Sequence, residues 1–182
     1  MRFQLVSFLA ALPFSLANLA DLSYSAPPER LAAAQREARC NLPAGFHIKD
    51  FAAKTNGTGQ TPALTAYSFA YSDTDTNVTL KCAFNSSSVS TTPRGLTPRY
   101  ACDNSDVKFI LSGATQRTLT LVERVCPGPD GAKAYEVAGA VDLALNCSTP
   151  LGSCKTTSND VRGNFTALDP VTDPTRIKRW VS

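Results

Sequence analysis

The side chains with the most chemistry open to them are six cysteines (Cys40, Cys82, Cys102, Cys126, Cys147 and Cys154), the single histidine His47, and scattered carboxylates. Structural zinc needs closely spaced Cys and His ligands, and this chain has no C-x2-C pair and one histidine, so no metal is expected. A Ser-His-Asp or Cys-His nucleophile would have to recruit His47, in "GFHIKDF". There it alternates with Phe46 and Ile48, which places it on the outer face of a strand. An even number of cysteines points instead to disulfides, with 15 pairings open.

The carboxylates give no hydrolytic pair. Glu136 and Asp142 fall on one face of a strand pattern, but three pleats separate them by roughly 20 Å, too far to cooperate across one glycosidic bond. Glu123 differs, because in "RTLTLVERV" it shares a face with Leu119, Leu121 and Val125 and must point inward. A buried carboxylate requires hydrogen bonds or a cation, and Arg117 or Arg99 is the expected partner. "DTDTNV" begins like a calcium loop, then places Val78 where glycine makes the turn and Phe84 where a bidentate glutamate belongs, so it reads as an oxygen-rich hairpin turn. No catalytic residue and no cofactor is assigned, and the chain is expected not to be an enzyme; the enzyme alternative is a carbohydrate-active hydrolase that uses Glu123 with another acid.

The compartment follows from the first residues. "MRFQLVSFLAALPFSLANLADLS" has Arg2, an apolar run from Phe3 to Leu16 and then small residues, the pattern of a secretory signal peptide. Ser15-Leu16-Ala17 sets cleavage after Ala17, with Ala20 the second candidate. The run is shorter than the roughly 20 apolar residues a membrane span needs. Export oxidises thiols, which agrees with the disulfide reading. The formal charge of +3 becomes about +2 once Arg2 is removed, and the basic residues form no dense cluster, so no nucleic-acid partner is expected.

Sequons at Asn56, Asn77, Asn85 and Asn164 are candidate glycan acceptors, while Asn146-Cys147-Ser148 is the weakest because its middle residue is a disulfide candidate.

From Cys40 onward the apolar rhythm has period two, the mark of strands. In "NVTLKCAFNSS" Val78, Leu80, Cys82 and Phe84 share the inner face, which turns Asn77 and Asn85 toward water. "KAYEVAGAVDLAL" alternates likewise over a long strand or a bent pair, with Gly139 placed for a bulge or sharp curvature. Tyr67, Phe69 and Tyr71 line one face of "YSFAYSD", and Phe109 lies inward in "VKFIL"; these rings either fill a core or line a ligand pocket. Turn-forming segments punctuate the runs about every dozen residues.

The expected fold is therefore all-β, a single compact antiparallel barrel or sandwich. Residues 1–17 form the signal, 18–39 a short helical or loose leader or pro-segment, 40–170 the β-domain, and 171–182 a basic tail. Cys82 and Cys102 both fall on inward faces, where a bridge between neighbouring strands is natural, and Cys147 and Cys154 flank the compact turn "STPLGS". Closing a loop of about twenty residues contributes roughly 3 kcal/mol. Cys40 and Cys126 are left either to bridge the N-terminus to "ERVCPG" or to link two chains.

In order and spacing, "GFHIKDF", "AYSFAYSD", the strand ending at Cys82, "RYAC" at Cys102, "LTLVERVC", "YEVAGAVDLAL" and the Cys147/Cys154 pair resemble the fungal secreted family named for the major allergen of Alternaria. The resemblance runs from about Cys40 to Leu168. It implies a secreted β-barrel without enzymatic chemistry that meets plant defence proteins as an allergen-like effector, or carries small phenolic ligands. It also implies the bridges Cys82–Cys102 and Cys147–Cys154, and matches Cys40 to a cysteine that joins two chains. Cys126 departs from that pattern and leaves the homodimer in question.

Overall fold

The computed structural model describes residues 24–37, 40–56, 62–73, 75–112, 117–128, 131–148 and 152–171. The signal segment 1–17 and nearly all of the basic tail 171–182 lie outside the described residues.

Among the described residues, one helix precedes eleven strands. Helix α1 is Pro28–Arg36, and strands β1 to β6 are Gly45–Thr55, Leu64–Asp73, Val78–Phe84, Tyr100–Ala101, Val107–Ser112 and Thr118–Pro127. Strands β7 to β11 are Lys133–Asp142, Leu145–Ser148, Ser153–Thr156, Asp160–Asn164 and Ala167–Pro170. They form two antiparallel sheets, one ordered β3-β2-β1-β9-β8 with β10 also on β1, the other β11-β7-β6-β5-β4. The fold is all-β, as the period-two pattern requires, with inward rows of both sheets sharing one core.

The sheets are joined at several places, two of them seams at their edges. At one, Cys82 of β3 is bonded to Cys102, just beyond β4, and the Asp103 amide donates to the Lys81 carbonyl at 2.9 Å. At the other, the chain leaves β1 through β10 and enters the opposite sheet through β11 after only Phe165 and Thr166. Phe165 is fully buried there, its ring 5.1 Å from that of Phe46.

Strand β1 keeps its apolar face inward by changing phase. Phe46 and Ile48 are buried, and so are Phe51 and Ala53, although strict alternation would turn the second pair to water. A register shift between Lys49 and Ala52, with Asp50 at a φ of 54°, inserts the extra residue. This bulge also lets β1 exchange β10 for β9 as its neighbour.

Gly139 has another role from the one its sequence context suggested. Register across it is continuous, Thr120 to Ala140, Leu121 to Gly139 and Val122 to Ala138, so no bulge forms. A Cβ there would stand 2.1 Å from the Asn164 carbonyl oxygen; glycine is required so that the β10–β11 crossover can lie against β7. The "KAYEVAGAVDLAL" segment is a bent pair, β7 and β8, which end up in different sheets.

The segment before Cys40 forms α1 and packs on the β-domain. Tyr24 and Ala34 are buried, the Tyr24 hydroxyl donates to the Pro43 carbonyl, and Arg30 reaches the Leu168 carbonyl at 3.0 Å and Asp169 at 2.6 Å. Among the described residues no helix is long and apolar enough to cross a membrane.

Candidate functional site

Alternation along β6 carries Leu119, Leu121, Glu123 and Val125 inward, and Glu123 is 2% exposed. Its expected cationic partner is not what it meets. The Tyr71 hydroxyl donates to Glu123 Oε2, and Thr76 Oγ1 lies 3.3 Å from Oε1. Arg99 is engaged elsewhere, 3.1 Å from Glu136, which Arg124 also holds at 3.1 Å. Arg117 precedes β6 at its opposite end, its carbonyl accepting from the Leu143 amide. Burial would raise the Glu136 carboxyl, but the hydrogen bonds from Arg124 and Arg99 outweigh it and hold the group below the usual range.

A second acid joins Glu123. Thr76 Oγ1 is 2.5 Å from Asp73 Oδ2, and the Asp75 amide donates to Asp73 Oδ1 at 2.8 Å. One hydroxyl has one proton, so Thr76 cannot donate to both carboxylates. The contacts are satisfied together when Glu123 itself is protonated. Tyr71 then donates to Oε2, the Glu123 hydroxyl donates to Thr76, and Thr76 donates to Asp73. Burial first, and the nearby Asp73 charge, raise the Glu123 pKa from 4.5 to about 7 against the hydrogen bonds from Tyr71 and Thr76. Asp73 is raised as well, mainly by burial. Burial and then the neighbouring carboxylates push the Tyr71 and Tyr24 phenols up, so both remain neutral donors.

The sign of the resulting pH dependence is fixed. A carboxyl whose folded pKa exceeds its unfolded value favours folding below pH 4.5 and loses that advantage as pH rises toward 7. Glu123 alone should lower stability by about 3 kcal/mol across that window. Glu123→Gln, which keeps a donor for Thr76 and an acceptor for Tyr71, should flatten the profile and leave the variant the more stable protein above pH 7, as read by urea unfolding at stepped pH.

Glu123 forms the floor of a recess of about 340 Å³, together with Val107 and Val125. Asp75, Asp106, Arg124 and Lys133 stand around it. Two of its lining residues, Asn77 and Cys126, have left-handed backbone, φ 58° and 61°, a conformation asparagine adopts readily but cysteine seldom does. Cys126 is bonded to Cys40, 86 residues away, and this link occupies both sulfurs within the chain. Cys147 and Cys154 are opposite each other in the β8–β9 hairpin and bonded.

The oxygen-rich "DTDTNV" turn spends its Asp73 oxygens on its own amide and hydroxyl groups. His47 is on the outer face of β1, its Nδ1 2.9 Å from Asp160, and this hydrogen bond holds the Asp160 carboxyl below the usual range. Asp142 accepts from Thr118 at 2.7 Å, apart from Glu136. Asn56, Asn77, Asn85, Asn146 and Asn164 are all exposed. Tyr67, Phe69, Tyr71 and Phe109 are all buried in the core, with Phe69 and Phe109 5.3 Å apart, Tyr67 and Phe109 5.9 Å apart, and Tyr71 6.4 Å from Phe46. Sequence reasoning missed Asp73 as Glu123's companion, although alternation in "AYSFAYSD" already puts it two residues beyond Tyr71 on the inner face.

Compared with known protein families and with curated proteins, the chain matches none.

Proposed function

We propose that this is a secreted, disulfide-stapled interaction protein, glycosylated in transit, that binds an extracellular host protein through the recess above Glu123 and performs no turnover. The observation that carries this reading is the recess itself: its floor acid is already engaged by Tyr71 and Thr76, while charged groups of both signs, Asp75, Asp106, Arg124 and Lys133, stand around its opening. Such a rim suits a polar protein surface, and complementary charge gives specificity and encounter rate more than bulk affinity. The three bridges suit an oxidising compartment. The order of strands and cysteines that resembles the Alternaria allergen family supports a plant defence protein as the partner.

A phenolic carrier is the second reading. It is favoured by a smaller recess of about 170 Å³ lined by Tyr67, Phe84, Tyr100 and Leu111, where one aromatic ring would find edge and face contacts.

Affinity capture from plant apoplastic fluid, followed by titration of the captured protein, tests the first reading. Asp106→Arg or Lys133→Glu should weaken binding at least tenfold without unfolding the chain, and no glycan should be hydrolysed. Unchanged binding by both rim variants refutes the recess as the interface. A polysaccharide hydrolysis lost in Glu123→Gln refutes the absence of turnover. Quenching of tyrosine fluorescence by a phenolic compound, with no protein captured, selects the carrier.

A further inference from the structure

The outer face of the β1–β2–β3 sheet carries a shallow apolar trough. Register aligns Ala52 with Ser68 and Ser68 with Ala83 across the three strands, and Lys54 with Ala66 one pleat along. Apart from Lys54, the outward side chains here are small, and the trough they leave, about 380 Å³, has Asn85 among its lining residues.

Asn85 is the acceptor position of Asn85-Ser86-Ser87, and the fold fixes its side chain by one end only. Its Oδ1 accepts from the Ser87 amide at 2.8 Å and from the Ser87 hydroxyl at 2.6 Å. Its main-chain amide donates to Ser88 Oγ at 2.9 Å, and its carbonyl accepts from the Ser88 amide at 3.0 Å. None of these bonds uses Nδ2. A substituent on that nitrogen leaves every one of them intact, and Asn85 itself is exposed. Asn77, by contrast, lines the polar recess instead.

We propose that Asn85 carries an N-linked glycan whose first N-acetylhexosamine ring lies in this trough, its apolar C–H face and acetyl methyl on Ala52, Ala66 and Ala83. This rests on the reading that the chain is exported. In the attachment step the Asn85 amide nitrogen bonds to the anomeric carbon of a lipid-diphosphate-linked oligosaccharide. The carbon–oxygen bond to the diphosphate breaks, the diphosphate leaves with the electron pair, and the nitrogen gives up one proton. Seating the sugar removes apolar sheet surface from water, which is the source of the stabilisation.

The test uses full-length protein made in a eukaryotic secretory host, with glycopeptide mass spectrometry of the culture medium. Asn85 should be occupied, and an endoglycosidase that leaves one sugar should not change Tm. Asn85→Gln and Ser87→Ala, both lacking the glycan, should melt about 2–4 °C lower. Ala66→Glu, which fills the trough, should keep the glycan yet lose the same increment. Protein in the medium with bare Asn85 overturns the inference while sparing export. An occupied Asn85 whose Tm is unmoved by any of the three variants overturns the seat. Protein retained inside the cell strikes at export, and the inference falls with it.

Discussion

Replacing Cys40 and Cys126 together by serine should lower the unfolding free energy by about 4–5 kcal/mol, against about 2 kcal/mol for the Cys147/Cys154 pair. The separations, 86 residues for the first bridge and 7 for the last, set this order, because the longer loop removes more freedom from the unfolded chain. The first pair also has a local role. Cys126 lines the recess beside Glu123, and Cys40 tethers the stretch in which Pro43 accepts the Tyr24 hydroxyl. Amide exchange around Asp75 to Val78 should therefore quicken in the double-serine protein more than its global stability loss accounts for. A urea midpoint lowered no more than that of the Cys147/Cys154 variant would show that the long bridge adds no constraint.

Gly139→Ala should cost about 4 kcal/mol, an unusually large effect for one added methyl. The new Cβ would meet backbone on the crossover, the Asn164 oxygen at 2.1 Å and its carbonyl carbon at 2.9 Å, and also the Phe46 ring at 2.9 Å. Main chain cannot step aside as a flexible side chain would, so β10–β11 must lift from β7 and expose Phe165. Gly95→Ala is the control: its φ of 94° is unfavourable for alanine, but nothing lies within 4 Å, so about 1 kcal/mol is expected. Equal denaturation midpoints for the two variants would contradict the close approach.

What was legible in the chain depended on whether its physics was local. Alternation in "NVTLKCAFNSS" turned Cys82 inward and Asn77 and Asn85 outward without reference to the rest of the fold, and the same rule buried Glu123. The partners of Glu123 were not legible in that way. Thr76 reaches it from the β2–β3 turn and Tyr71 from the opposite sheet, a juxtaposition set by how the two sheets stack, and a search for a cation overlooked hydroxyls that a protonated acid can use. Gly139 was recognised as special, but its reason lies in the crossover near Asn164, some 25 residues later. The phase change at Asp50 was hidden because a bulge leaves little local signature in "HIKDF", although Phe51 on the wrong parity was a clue.

Non-reducing peptide mapping of the protein collected from culture medium tests the central claim most directly, namely that an exported two-sheet domain is clamped by three bridges within one chain. The account predicts Cys40–Cys126, Cys82–Cys102 and Cys147–Cys154 in a monomer on non-reducing electrophoresis. Free thiols throughout, or Cys40 cross-linked to a second chain with Cys126 unpaired, would contradict it.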